Sequence, residues 1–283
     1  MSYANPDALV ASAWLADHLT APDVRVVDAS WYLPAQRRDP LAEYREAHIP
    51  GAVYFDIDDI ADSDSALPHM LPAPEKFASR VRKLGLGDGH RIVVYDGDGL
   101  FSAARVWWMF RVFGHDDVAI LDGGLPKWCA EGRPTESTLP ILKERHFTAK
   151  RNAAMVRDLE QMGANLDTRR EQVLDARSVA RFRAEAPEPR QGLRGGHIPG
   201  SLCLPYAALI DPEAKTMLPA DQLRHAFTAA GIDLGKPVVT TCGSGVTAAV
   251  LYLGLHLLGH RELALYDGSW SEWGGRDDTP IET

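Results

Sequence analysis

The sequence of 283 residues is poor in cysteine, in long apolar stretches and in positive charge. Its three cysteines, Cys129, Cys203 and Cys242, are too widely spaced for a disulfide framework or a Cys-x-x-Cys metal site. No apolar run reaches the roughly 20 residues of a membrane-spanning helix, and the N-terminus lacks a signal-peptide pattern. We therefore expect a cytoplasmic protein that binds no membrane. The 30 Lys and Arg residues against 39 Asp and Glu residues give a net charge of −9, which argues against nucleic acid as a partner.

The two halves of the chain carry the same short motifs in the same order. The matching pairs are 27–29 and 174–176, 48–51 and 197–200, 93–99 and 239–245, and 121–124 and 266–269. Motifs that occur twice in one order indicate a duplicated domain. We therefore predict a first domain at 1–137, a linker at 138–152 and a second domain at 153–283. The motif His-Ile-Pro-Gly, which begins at His48 and again at His197, favours a tight turn and a structural role.

Each half alternates short apolar runs with longer helical patterns. We predict strands at 24–29, 91–95, 118–121, 172–176, 238–241 and 263–266. We predict helices at 7–19, 75–84, 102–112, 155–162, 220–230 and 246–258. Short apolar strands between helices indicate an α/β fold, with a mostly parallel sheet flanked by helices in each half.

Cys242 follows a predicted strand and begins the segment 242–247, which contains two glycines and leads into a predicted helix. Such a turn brings several backbone N–H groups to one point, beside the positive end of the helix dipole. We expect these dipoles, rather than a cationic side chain, to favour the nucleophilic thiolate of Cys242. Asp96 occupies the matching position of the first half, which therefore cannot carry sulfur. Cys129 and Cys203 have apolar neighbours, and we expect both to be small buried side chains.

Two other site chemistries fit the spacing of the residues poorly. Cysteine phosphatases require an arginine six residues after the nucleophile, and Ala248 occupies this position. The loop has no cationic side chain, so a phosphate dianion would lack its bidentate partner. The aspartate-rich segment 56–64 lacks the glycine and the terminal glutamate of a calcium-binding loop, and we predict no metal site.

Longer motifs lie along nearly the whole chain, at 31–34, 47–52, 55–58, 69–72, 105–110, 181–183, 187–190, 242–248 and 266–270. Together they resemble the rhodanese sulfurtransferases and, within them, the 3-mercaptopyruvate sulfurtransferases. The resemblance implies two tandem rhodanese-like domains of α/β fold, an inactive first and a catalytic second, with the active site at their interface. It implies no cofactor, because the cysteine itself carries the sulfur as a persulfide.

The resemblance also implies roles for individual residues. Cys242 would carry the persulfide, and Arg181 and Arg190 would bind the carboxylate of the substrate. The resemblance further implies a proton relay of three residues, which are Ser244, His69 and Asp58. The other loop residues are expected to contact the substrate sulfur mainly through their backbone, and these are Gly243, Gly245, Val246 and Thr247.

The neutral loop also bears on the sulfur donor. Rhodaneses that use thiosulfate typically carry basic side chains just after the cysteine, whereas Gly243 and Ser244 supply none. The single carboxylate of 3-mercaptopyruvate suits a neutral loop with guanidinium groups nearby. We expect sulfur transfer from 3-mercaptopyruvate to a small thiol, a thioredoxin-like dithiol or cyanide, with release of pyruvate. A thiosulfate:cyanide sulfurtransferase and a persulfide carrier protein without enzymatic activity stay open as alternatives.

Overall fold

The computed structural model describes residues 2–283, which form two units with the same order of main elements. The first unit contains β1 (Leu9–Val10), α1 (Ser12–His18), β2 (Val24–Asp28), α2 (Pro40–Glu46), β3 (Val53–Tyr54), α3 (Pro74–Lys83), β4 (Arg91–Tyr95), α4 (Ser102–Val112), β5 (Val118–Leu121) and α5 (Gly124–Ala130). The second unit contains β6 (Val156–Arg157), α6 (Leu159–Thr168), β7 (Gln172–Asp175), α7 (Val179–Phe182), β8 (Leu202–Cys203), α8 (Ala220–Ala229), β9 (Val238–Thr241), α9 (Ala248–Leu257), β10 (Leu263–Tyr266) and α10 (Ser269–Trp273). Within the described range, no helix is both long enough and apolar enough to cross a bilayer.

Each unit is built on a five-stranded sheet whose described strand pairs are all parallel. The strand orders are β1-β5-β4-β2-β3 and β6-β10-β9-β7-β8, so the two sheets have the same topology. The central strands β4 and β9 are buried along nearly their whole length, as expected for a parallel sheet covered on both faces. The structure confirms the predicted α/β class and the duplication.

Three of the predicted helices begin later than expected, and the one predicted at 246–258 begins at Ala248. The helix predicted at 7–19 begins at Ser12, because a 3₁₀ turn and the strand β1 precede it. The helix predicted at 155–162 is wrong over its first residues, because Met155 ends a 3₁₀ turn and the next two residues form the strand β6; α6 begins at Leu159 after the N-cap Asp158. A strand of two residues has no readable period, and its pairing with β5 or β10 decides its conformation.

The two His-Ile-Pro-Gly motifs precede the edge strands β3 and β8, which the sequence analysis did not predict. His48 is fully buried, its ring stacks on Tyr44, and its Nδ1 lies 2.6 Å from the Tyr44 carbonyl oxygen. His197 makes the same contacts with Phe182, with Nδ1 at 2.9 Å from the carbonyl oxygen. These contacts support a structural role for both histidines.

The two cysteines outside the loop differ in exposure. Cys129 lies on α5 and is exposed, so the expectation of a buried side chain is wrong there. The short helix α5 presents Trp128 to the core and leaves the next residue at the surface. Cys203, at the end of β8, is half-buried, and burial raises the pKa of its thiol to about 11. Cys203 is therefore a thiol at neutral pH.

The two units share one hydrophobic core, formed where α4 packs on α9. Ten of the 11 residues of α4 and nine of the 10 residues of α9 are buried, which is typical of helices covered on all sides. Trp107 and Trp108 of α4 are fully buried and contact Tyr252 of α9. The segment 138–152 has no described helix or strand, and the domain boundaries at 137 and 153 stay a prediction.

Candidate active site

Cys242 directly follows β9, at the carboxyl edge of the second sheet, where open parallel sheets form their binding sites. Its N–H donates to Oγ of Ser269 at 3.3 Å, and its carbonyl oxygen accepts from the N–H of Trp270 at 2.9 Å. The Gly243 carbonyl oxygen accepts from the N–H and the hydroxyl of Ser271, at 2.8 and 2.7 Å. The start of the loop is therefore anchored to α10. The Cys242 side chain is buried, with 2% of its surface exposed.

The equivalent loop of the first unit shows what such a turn can bind. The carboxylate of Asp96 accepts hydrogen bonds of 2.7–3.0 Å from the N–H groups of Asp98, Gly99, Phe101 and Ala103. In the second unit, the N–H groups of residues 243–248 have no acceptor among the residues that the structure describes. Most of these residues are buried, and buried N–H groups without an acceptor are rare in folded proteins. The loop after Cys242 is therefore suited to receive an anion.

Arg181 and Arg190 lie beside this loop. A Cβ atom placed on Gly243 would be 3.1 Å from Nη2 of Arg181 and 3.9 Å from Nη1 of Arg190. Burial lowers the pKa of Arg190; an ionised Cys242 opposes this shift, and the charge of Arg181 adds to it. Both arginines thus lie close to the loop, as the resemblance implied. The expectation that peptide dipoles, rather than a cationic side chain, favour the thiolate of Cys242 stays a prediction.

His69 and Asp58 of the first unit contact the loop of the second through Arg190. Nδ1 of the buried His69 lies 2.9 Å from Oδ1 of Asp58. This contact lowers the pKa of Asp58, whose other oxygen accepts from Nε1–H of Trp31 at 3.0 Å. Nη2 of Arg190 is 3.4 Å from Nε2 of His69 and 3.3 Å from Oγ of Ser244. Arg190 thus lies between Ser244 and His69, which share no direct hydrogen bond in the described chain.

Arg181 is oriented by a carboxylate that the sequence analysis did not identify. The Glu188 side chain is 1% exposed and accepts from Nε of Arg181 at 3.2 Å and from Nη1 of Arg177 at 2.7 Å. Arg177 also pairs with Asp175 at 2.7 Å. Two carboxylates therefore balance two guanidinium groups. Arg190 makes no ion pair with a carboxylate within residues 2–283, so it is the cation most available to a ligand.

The remaining loop residues contribute through their backbone conformation. Gly245 has a φ of +79°, in the left-handed region that favours glycine. A Cβ atom there would also lie 2.8 Å from Nη1 of Arg105, so this position requires glycine for two reasons. The Val246 side chain is buried in the core, and Thr247 is the N-cap residue of α9. The backbone, rather than the side chain, is what Val246 offers to a ligand.

Comparison with known proteins identifies the family of the chain. The family model described as Rhodanese-like domain matches residues 11–131 and 158–276. The chain belongs to the rhodanese-like family. The two matched regions contain most of the two parallel sheets, and the second rhodanese-like domain contains Cys242.

Similar proteins match nearly the whole chain. A thiosulfate/3-mercaptopyruvate sulfurtransferase, mitochondrial, from Arabidopsis thaliana is 45% identical over 100% of this chain and 80% of its own length. A 3-mercaptopyruvate sulfurtransferase of Homo sapiens is 44% identical over 94% of this chain and 91% of its own. The crystal structure of SseA from Escherichia coli, described as a 3-mercaptopyruvate sulfotransferase, has a TM-score of 0.86 and 41% identity over 94% of this chain and 99% of that chain. Sulfur transfer is the class of reaction that this rhodanese-like protein catalyses.

Proposed function

We propose that this protein transfers sulfur from 3-mercaptopyruvate to a thiol or to cyanide, through a persulfide on Cys242, and releases pyruvate. The observation that supports this proposal most directly is the surroundings of Cys242. They combine backbone N–H groups that have no acceptor in the described chain with two neighbouring guanidinium groups. The similarity to proteins named 3-mercaptopyruvate sulfurtransferase supports the same donor.

In the first step, the Cys242 thiolate attacks the thiol sulfur of the donor. The carbon–sulfur bond breaks, and its electron pair leaves on the carbon as the enolate of pyruvate. The new sulfur–sulfur bond leaves Cys242 as a persulfide, whose outer sulfur is placed to accept from the N–H groups of residues 243–248. Hydrogen bonds that form to charge in the transition state, rather than to the neutral donor, accelerate such a step.

Arg190 and Arg181 would bind the donor carboxylate. A guanidinium group offers two parallel N–H donors that match the two oxygens of a carboxylate. Because Glu188 already accepts from Arg181, we assign the larger share of the carboxylate binding to Arg190. Its present neighbours, Ser244 and His69, are at 3.3 and 3.4 Å, distances that leave Arg190 free to form shorter bonds with a ligand.

The relay residues would move one proton within this step. The proposal assigns the hydrogen of His69 to Nδ1, which lies 2.9 Å from Oδ1 of Asp58, and leaves Nε2 as the accepting nitrogen. Nε2 and Oγ of Ser244 would take the proton of the donor thiol and return it to the enolate carbon. The position of Arg190 between these two groups implies that the substrate carboxylate draws Arg190 aside before the proton moves.

In the second step, an acceptor removes the outer sulfur. A thiolate that attacks this sulfur takes it as its own persulfide, and the electron pair of the broken bond restores the Cys242 thiolate. A small thiol or a thioredoxin-like dithiol would act in this way, and cyanide would leave as thiocyanate. The cysteine is the sulfur carrier, so the proposal involves no cofactor.

The proposal is tested by incubation with 3-mercaptopyruvate alone, followed by intact-mass measurement and a pyruvate assay. We expect the protein to gain the mass of one sulfur atom and to release one pyruvate for each persulfide formed. The variant Cys242→Ser is the matched control and should show neither. A protein that gains sulfur only from a persulfidated partner, with no pyruvate released, would instead be a carrier and would contradict the proposal.

Thiosulfate is the second candidate donor, because the Arabidopsis relative is named for both donors and two guanidinium groups lie near the loop. Steady-state comparison of the two donors with one acceptor distinguishes them. We expect the larger kcat/KM with 3-mercaptopyruvate, since one of the two guanidinium groups is already balanced by Glu188. A larger kcat/KM with thiosulfate would favour this second candidate. The cytoplasmic location stays a prediction, which cell fractionation tests.

A further inference from the structure

One buried ion pair crosses the interface of the two rhodanese-like domains beside the active site. Arg105 of α4 is fully buried, and its Nη2 donates to Oδ1 of Asp267, directly after β10, at 2.7 Å. The same nitrogen donates to the carbonyl oxygen of His69 at 2.5 Å, and Nη1 lies 3.4 Å from the carbonyl oxygen of Gly245. Oδ2 of Asp267 accepts from the N–H of Leu71 at 2.8 Å. The pair therefore contacts both the segment that carries His69 and the loop of Cys242.

The His69 segment needs such support because its backbone is strained. His69 has a φ of +60°, in the left-handed region, which is uncommon for a residue with a side chain. Arg105 binds the carbonyl oxygen of this residue, and Asp267 binds the N–H two residues later. One side of the turn is thus held by the first domain and the other by the second. The orientation of the imidazole consequently depends on contacts from both domains.

Stability alone does not account for this pair. Removing two charges from water costs about as much as their attraction returns, and well-packed apolar residues often replace a buried pair without loss of stability. What apolar residues could not do is bind three backbone groups at once: two in the His69 segment and one in the Cys242 loop. This function of the pair is geometrical.

We propose that the Arg105–Asp267 ion pair positions His69 against the Cys242 loop, so that the imidazole transfers the proton that the 3-mercaptopyruvate reaction requires. Both residues are positioning residues, since they act through His69. The inference rests on the proposed function. It names two residues for the relay that lie outside the predicted set and assigns them to one step, the proton transfer to the enolate.

The two donors provide an internal control for this step. Sulfur transfer from thiosulfate breaks a sulfur–sulfur bond, and sulfite leaves with the electron pair without taking up a proton. Transfer from 3-mercaptopyruvate requires a proton on the enolate carbon. A displaced imidazole should slow sulfur transfer from 3-mercaptopyruvate and leave transfer from thiosulfate unchanged. A general loss of structure should slow both reactions.

The test compares Asp267→Asn and Arg105→Lys with the parent protein. The amide keeps an oxygen for Leu71 but loses the charge. The lysine keeps the charge but has a single donor nitrogen, which cannot replace both Nη1 and Nη2 of Arg105. Arg111→Lys is the matched control, because Arg111 lies on the same helix and is partly exposed. The measurements are kcat and KM with 3-mercaptopyruvate, persulfide formation from thiosulfate by intact mass, and the rate at which iodoacetamide alkylates Cys242.

We expect kcat with 3-mercaptopyruvate to fall at least about tenfold in both variants, which is part of the roughly 10²- to 10⁴-fold that general acid–base catalysis contributes. KM, the alkylation rate and the persulfide yield from thiosulfate should stay within roughly twofold of the parent values. In the control Arg111→Lys, kcat should also stay within this range. In the His69→Ala background, Asp267→Asn should cause no additional loss, because two residues that act through one group are not additive.

Three results would overturn the inference and leave the proposed function intact. An unchanged kcat in a folded Arg105→Lys or Asp267→Asn protein would show that the pair does not position His69. An equal fall of alkylation, thiosulfate persulfidation and kcat would show a role in the structure of the loop instead. Additive losses with His69→Ala would show that the pair acts elsewhere. A parent protein without activity on 3-mercaptopyruvate would overturn the proposed function first, and this inference with it.

Discussion

Asp122 provides a prediction in which the sign and the size both come from the structure. Asp122 directly follows β5, and its carboxylate accepts a hydrogen bond of 2.8 Å from the N–H of Met217. This hydrogen bond joins the two domains. Burial raises the pKa of Asp122 from 3.8 to about 6; the Met217 N–H and then the charge of Lys127 oppose the shift. The folded protein therefore retains this proton at a pH where the unfolded chain has lost it. The free energy of unfolding should fall as pH rises from about 4 to about 6.

The size of this loss follows from the shift. Each pKa unit corresponds to about 1.4 kcal/mol, so a shift of roughly two units corresponds to about 3 kcal/mol at most. Because Asp122 is only partly buried, solvent screening reduces the value to about 1–2 kcal/mol. An asparagine cannot ionise, and its amide oxygen still accepts from Met217. Asp122→Asn should therefore be more stable than the parent at pH 7.5 and no more stable at pH 4.

The assay is thermal unfolding of both proteins between pH 4 and pH 8. The expected gain in Tm at pH 7.5 is a few degrees, since about 1 kcal/mol shifts Tm by about 2–4 °C in a large domain. Asp277→Asn is the matched control, because Asp277 is exposed, and it should leave the pH dependence unchanged. A lower Tm for Asp122→Asn at pH 7.5, or a difference that does not vary with pH, would refute the reasoning.

Three further predictions concern the site and the interface. Cys242→Ser should abolish turnover without changing Tm, and measurable activity would contradict the role of its sulfur. Arg190→Ala should raise KM for 3-mercaptopyruvate at least about tenfold, because a bidentate contact with the carboxylate is lost. The effect on thiosulfate turnover should be smaller. Arg190→Lys should recover part of the loss. Burial lowers the pKa of His256 to about 4, with Arg111 adding to the shift. The unfolding free energy should therefore fall as pH drops from 6.5 to 4, and His256→Gln should remove this loss in thermal unfolding.

The main strands and helices could be predicted because their patterns are local. The six predicted strands all occur, and each contains consecutive apolar residues that a covered parallel sheet requires. The four edge strands β1, β3, β6 and β8 have two residues each and no period of their own. Their hydrogen bonds to a neighbouring strand, rather than their side chains, make them strands.

The candidate site divides in the same way. The loop after Cys242 is recognisable because glycine positions, a preceding strand and a following helix are all neighbours in the chain. The partners of the charged residues around the loop are not recognisable from the sequence. Glu188 and Arg105 were missed, although an arginine inside the apolar helix α4 is a signal, since a buried charge requires a partner.

By itself, the sequence determined the duplication, the α/β class and the presence of a cysteine directly after the central strand in only one of the two copies. These properties depend on residues close together in the chain or on direct comparison of its halves. The tertiary structure alone decided that Arg190 lies between Ser244 and His69, and that Arg105 pairs with Asp267, 162 residues away. Buried charges find their partners only when folding removes them from water, and no local pattern specifies which partner that will be.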